Sequence, residues 1–158
     1  LVRGLIFSFG IIIVVIGVTL RSVRFGLISV VPNVVPFLLA YGVLSIFTKV
    51  VTFSHTVAIL IAIGLVVDAT IHFLTKFKKA NSMNLSPYDA IQYCYKYVGY
   101  PIIVASVCLF SGFLFLIQSS FQTNYILGGM CALIILLALV IDLLLLPSLL
   151  LIFGNKSR

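Results

Sequence analysis

Charge is what this chain lacks. Of its 158 residues only 8% are Asp, Glu, Lys or Arg, and just three are acidic: Asp68, Asp89 and Asp142. A soluble domain carries about a quarter charged residues, so an ordinary water-exposed surface is excluded. Tryptophan is absent. Cysteine is sparse: Cys94, Cys108 and Cys131 show neither a disulfide framework nor a metal-ligand spacing. Neither a metal nor a cofactor is expected, and no internal repeat or low-complexity tract is visible. Apolar residues fill the gap, at 63% of the chain and a mean hydropathy of +1.33. The chain reads as an all-α integral membrane protein and not as an enzyme. Its net charge of +7 sits on basic residues between apolar runs. That pattern suits membrane lipids as partners and not nucleic acid. The first residue is Leu1, not Met, and no signal peptide leads the first run. The expectation is one part of a longer protein.

Five apolar runs are predicted to span, over about 5–20, 25–47, 56–77, 98–117 and 125–153, since a crossing takes about 20 apolar residues. The last is longer than a span needs and is expected to tilt or kink at Pro147. Between the third and fourth runs, Ser86-Pro87-Tyr88-Asp89 reads as a helix start, with Ser86 as N-cap and Pro87 at the first position. A short amphipathic helix over about 86–97 follows, suited to the membrane interface. If all five runs cross, Arg21, Arg24, Lys76, Lys78, Lys79, Lys96, Lys156 and Arg158 share one side, and only Arg3 and Lys49 the other. The positive-inside rule puts the richer side in the cytoplasm. The N-terminus is then outside and the C-terminus inside. Gly10, Gly17, Gly112, Gly128 and Gly129 read as packing glycines.

Asp68 stands inside the third run, within Gly64-Leu65-Val66-Val67-Asp68-Ala69-Thr70-Ile71-His72-Phe73. A carboxylate at membrane depth costs roughly 2.5–3.5 kcal/mol even on mild scales, so it faces protein or water and is usually functional or paired. Asp68 and His72 are four apart and share a helix face. At about 1.5 Å rise per residue, Asp68, Asp142, Asn33 and Ser106 fall in one layer of the inner half of the bilayer. One polar cluster between packed helices is the economical arrangement. Each member also has a structural reading. Asp142 precedes Pro147 by five residues and could organise a kink. His72 could snorkel to the interface. Asn33, between Pro32 and Pro36, could satisfy backbone that the prolines free. Thr70 and Ser106 are common helix–helix glue. Asp68 and Asp142 could also form the dyad of an intramembrane aspartyl protease, which needs two carboxylates sharing a proton. However, Leu65-Val66-Val67 replaces the Gly-x-Gly that precedes such an aspartate.

Five segments then occur in a telling order: Arg24–Leu39 (RFGLISVVPNVVPFLL), Gly64–Leu74 (GLVVDATIHFL), Ser86–Ala90 (SPYDA), Ser106–Phe113 (SVCLFSGF) and Asp142–Leu149 (DLLLLPSL). Together they resemble the membrane half of a resistance–nodulation–division (RND) superfamily exporter, of the kind grouped with the MMPL lipid transporters. The resemblance covers nearly the whole chain. It implies the last five of twelve transmembrane helices. A large extracytoplasmic domain would come before Leu1, and the N-terminal half of the same protein would be a partner. A homo-oligomer and a bacterial inner-membrane location are compatible with it. In the superfamily, acidic residues of the fourth and tenth helices relay protons to drive export, and Asp68 stands at the tenth-helix position. The resemblance therefore implies a proton relay through Asp68, with Thr70, Ser106 and Asp142 as members and Asn33 and His72 as polar support. Two positions depart from the family pattern: Ala69, where Asp or Tyr is frequent, and Cys108, where many relatives have threonine. The resemblance extends to sterol-sensing domains, which need not export anything.

Overall fold

The computed structural model describes residues 2–20, 22–47 and 52–153. Arg21, Lys49, Lys156 and Arg158, which enter the expected orientation, lie outside the described residues. The elements are α1 (Val2–Leu20), α2 (Val23–Phe47), α3 (Phe53–Ser82), α4 (Pro87–Cys94), a π-helical turn (Tyr95–Gly99), α5 (Tyr100–Ile117) and α6 (Gln122–Phe153). The described residues contain no strand, and the protein is an all-α membrane protein. Four stretches are long and apolar enough to cross a membrane: Val23–Ile46, Phe53–Ser82, Pro87–Ile117 and Gln122–Phe153. In α1 the described apolar stretch is shorter, Gly10–Thr19.

Three element ends differ from the sequence expectation. α3 begins at Phe53, where Thr52 and His55 form a capping box. It continues past Phe77 to Ser82, because Phe77 and Ala80 extend its buried stripe and Lys79 favours the negative end of the dipole. It stops where Asn84 takes a left-handed φ of 58°. The amphipathic segment does start as expected: the Ser86 hydroxyl accepts from the Asp89 N–H at 3.2 Å. It does not end near residue 97. One π-helical turn carries it on into α5, and Pro101 falls in the first turn of α5. Pro101 cannot donate to the turn before it, and the π-helical turn at that point takes up the break in the usual bonding pattern, so the helix continues.

α6 is the centre of the bundle and packs along α5, α3 and α2, while α1 packs on α2. Its buried residues Cys131, Ile134, Ile135, Ala138, Asp142 and Leu146 recur every three or four positions. Ile59, Ile63, Val66, Thr70, Phe73 and Phe77 do the same on α3. In lipid, burying apolar surface brings little net gain, so close packing and hydrogen bonds hold such helices together. Small residues provide the approach, including Ala58, Ala62 and Ala138, all at most 4% exposed.

Gly128 marks the tightest contact. A Cβ there would lie 2.6 Å from the Phe113 carbonyl oxygen and 2.7 Å from the Leu116 Cβ. The packing expected of Gly10, Gly17, Gly112 and Gly129 is not seen among the described residues, because a Cβ at any of them meets nothing within 4 Å there. Adjacent glycines therefore behave oppositely. Gly128→Ala should destabilise the bundle by about 1–3 kcal/mol through overpacking. Gly129→Ala should be neutral or stabilise by up to about 1 kcal/mol through helix propensity. Unfolding by denaturing detergent in mixed micelles measures both; equal effects would contradict the packing described.

Candidate functional site

Three helices meet at one polar joint. Asn33 of α2, Thr70 of α3 and Asp142 of α6 are 1%, 0% and 2% exposed. The Thr70 hydroxyl donates to Asp142 Oδ1 at 3.0 Å. Asn33 Oδ1 lies 3.4 Å from the same hydroxyl. A hydroxyl has one hydrogen, so the shorter bond to Asp142 takes it and Asn33 is the alternative acceptor. The Asn33 side-chain amide donates to the Ser29 carbonyl at 2.7 Å, and the Ser29 hydroxyl donates to the Gly26 carbonyl at 2.7 Å. Both bonds brace the turn that Pro32 loosens. Thus Asn33 holds its own helix while it faces Thr70.

Asp68 is elsewhere. Its side chain is 73% exposed on the outer face of α3, with Oδ1 3.5 Å from Nε2 of His72. It lines a groove of about 610 Å³ between α3 and α5, together with His72, Lys76, Tyr97 and Pro101. Residues two apart on a helix point about 200° apart. Asp68 and Thr70 therefore cannot enter one cluster, and the single four-helix cluster expected from depth alone is divided. Equal depth is not equal azimuth. Asp68 and Asp142 face different surroundings and form no shared dyad. Ser106 lies between the two sites. It lines the Asp68 groove and also a void of about 20 Å³ that reaches Asp142. No hydrogen bond joins it to either carboxyl.

The kink reading of Asp142 is also corrected. Pro147 cannot donate to the carbonyl four residues back, that of Leu143. The donor to that carbonyl is the Tyr95 hydroxyl, from the π-helical turn. The Tyr95 ring packs edge-on against Phe73, with centroids 5.9 Å apart. Tyr95 thus ties the α4–α5 junction to α3 and to the weak point of α6, and leaves Asp142 free for Thr70. Pro147 signals in the sequence that the Leu143 carbonyl needs a donor. Which residue supplies it depends on the tertiary fold. Among the described residues, no group of three or more His, Cys, Asp or Glu could hold a metal ion.

The family model described as MMPL matches residues 2–158 of the chain. No protein of curated function matches it.

The joint predicts an asymmetry. Thr70→Val removes the donor to a buried carboxyl and should cost about 1–3 kcal/mol of stability. Thr70→Ser keeps the hydroxyl and should cost far less. Replacing Asp142 with Leu in the Thr70→Val background should recover part of the loss, because two apolar partners leave nothing unsatisfied. Detergent unfolding of wild type, Thr70→Val, Asp142→Leu and the double variant as a double-mutant cycle checks this; strict additivity would refute the bond.

Proposed function

Because the chain belongs to the MMPL family, we propose that it is the membrane part of a proton-driven exporter of hydrophobic or lipid-like molecules, with Asp68 as proton carrier. One observation supports this most: an ionisable pair, Asp68 and His72, stands exposed in the middle of a 30-residue apolar helix. Lipid is an unsuitable neighbour for a carboxylate. The face suits water or another helix, and the N-terminal half of the same protein is the natural cover. Proton entry along His72 and Lys76 would then reach Asp68 in the groove between α3 and α5. We place the protein in a bacterial inner membrane, with the N-terminus of the chain outside and its C-terminus in the cytoplasm. External domains of the same protein would select the cargo.

Asp142 and Thr70 are the second station. A proton on Asp142 would make its carboxyl a donor to Thr70, which would free the Thr70 hydrogen for Asn33. Protonation would thereby reverse the α3–α6 bond and add an α3–α2 bond. Helix packing could respond to proton binding in this way without large motion. Ser106, facing both carboxyl sites, suits a bridge between them.

A sterol-sensing-like membrane sensor without proton flux is the second reading. It is favoured by the fact that the Asn33–Thr70–Asp142 joint is complete within this chain and needs no proton to hold.

The carboxyl infrared band of the full-length protein in lipid separates the two. Under the exporter reading, a protonated-carboxyl band titrates with pH and is lost in Asp68→Asn, and export fails at normal protein levels. Full export by Asp68→Asn would sink the proton-carrier assignment. A titrating band lost only in Asp142→Asn would move the coupling to the buried joint. If neither variant loses a band, the sensor reading takes first place.

A further inference from the structure

A second cavity lies at the opposite end of the bundle from Lys76. It measures about 580 Å³ and is lined by the end of α2, the start of α3, the end of α5 and the start of α6. That is within the ~300–1,000 Å³ of small-molecule sites. Its lining is graded along the helices. Thr52 and His55 come from the start of α3, and Gln122 and Tyr125 from the first turn of α6. Met130 and Leu133 follow two and three turns further along α6. From Gln122 to Leu133 is about 16 Å at 1.5 Å per residue. A polar end at the helix termini and an apolar depth towards mid-membrane match a molecule with one polar head and one chain.

His55 supplies the chemistry. It is only 4% exposed. Its Nδ1 accepts from the Thr52 backbone N–H at 3.1 Å, and the Thr52 hydroxyl is 2.7 Å from the same atom. In the neutral ring the hydrogen therefore sits on Nε2. The ring lines the cavity, and no hydrogen bond to Nε2 is found among the described residues. The next residue, Thr56, holds a buried hydroxyl that also has no partner among the described residues. Polar groups left incomplete at this depth are uncommon. Among the described residues the lining carries no charged side chain, and the His55 donor calls for a hydrogen-bond acceptor as the head.

We propose that this cavity binds an acyl chain ending in a carboxyl or ester carbonyl oxygen, which takes the Nε2 hydrogen of His55 while the chain lies along Met130 and Leu133. The inference deepens the exporter reading and rests on it only for regarding the bound molecule as cargo.

The test is photolabelling of the full-length protein in phosphatidylcholine nanodiscs with a diazirine-bearing palmitic acid. Saturable labelling is expected within residues 122–133. Gly129 lines the cavity, and a Cβ there meets nothing within 4 Å. Gly129→Phe should grow into the space without disturbing the backbone and lower labelling at least about tenfold, equivalent to 1.4 kcal/mol. His55→Phe keeps a ring but loses the donor, and a fall of about five- to tenfold is expected. Excess palmitate should compete. If monopalmitoylglycerol competes equally, the site takes esters as well as the free acid. Asp68→Asn, whose export is expected to fail, should label like wild type, so this proposal and the proton-carrier reading can fail separately. Non-saturable labelling, or saturable labelling unchanged by Gly129→Phe, would overturn the proposal.

Discussion

The bundle depends on one hydrogen bond in an interior where solvent does not compete for either partner. Thr70 donates to Asp142 where neither water nor lipid can replace it. In water such a bond contributes modestly, because solvent competes for both partners. In an apolar interior, an unmade bond costs the desolvation of the group left alone. The pair therefore sets the rotation of α3 against α6 more strictly than apolar packing can, since apolar side chains repack at little cost. Asn33 adds α2 to the same joint. The other α6 contacts are consistent with that rotation, including the close approach of Gly128 to α5 and the Cys131 thiol 3.4 Å from the Ala58 carbonyl.

Proline creates the second constraint. Each proline inside a membrane helix leaves a carbonyl without its usual donor, and the bilayer core cannot supply one. In α6 the remedy comes from the Tyr95 hydroxyl. In α2 the turn next to Pro32 is braced by Ser29 and Asn33. Asn33 belongs both to the joint and to the braced turn of α2. Asn33 can serve Thr70 because it already holds its own backbone in place. The α4–α5 junction is held where it is because α6 contains Pro147.

The two aspartates divide the work. Asp142 belongs to the interior and completes the fold. Asp68 contributes little to packing within this chain and lies on a face shared with His72 and Lys76. A carboxylate that holds a fold and one that the fold leaves exposed are different kinds of group. Membership of the MMPL family agrees with a membrane transporter or a sterol-sensing-like membrane protein. Ser106 borders both carboxyl sites, which suits communication between them.

Much of this is legible in the residues alone. Long apolar runs with few charges determine helices, because no other open structure satisfies backbone groups in a bilayer. The start at Ser86 follows from cap chemistry. Depth follows from counting residues, and the opposite facing of Asp68 and Thr70 follows from about 100° per residue. Which of the two points inward does not. A soluble helix reveals its buried side as an apolar stripe, but in α3 and α6 both the lipid face and the packed face are apolar, so the pattern carries no phase. Only the packing of α2, α3 and α6 decided that Thr70 turns inward with Asp142 and that Asp68 turns out. The donor for the Leu143 carbonyl was decided the same way, since Tyr95 lies 48 residues away in the chain and meets it only in the folded bundle. The sequence by itself determined which polar groups stand in the apolar helices and how far along them they lie; the tertiary structure decided their partners, because a hydrogen bond depends on azimuth and distance as well as position along the helix.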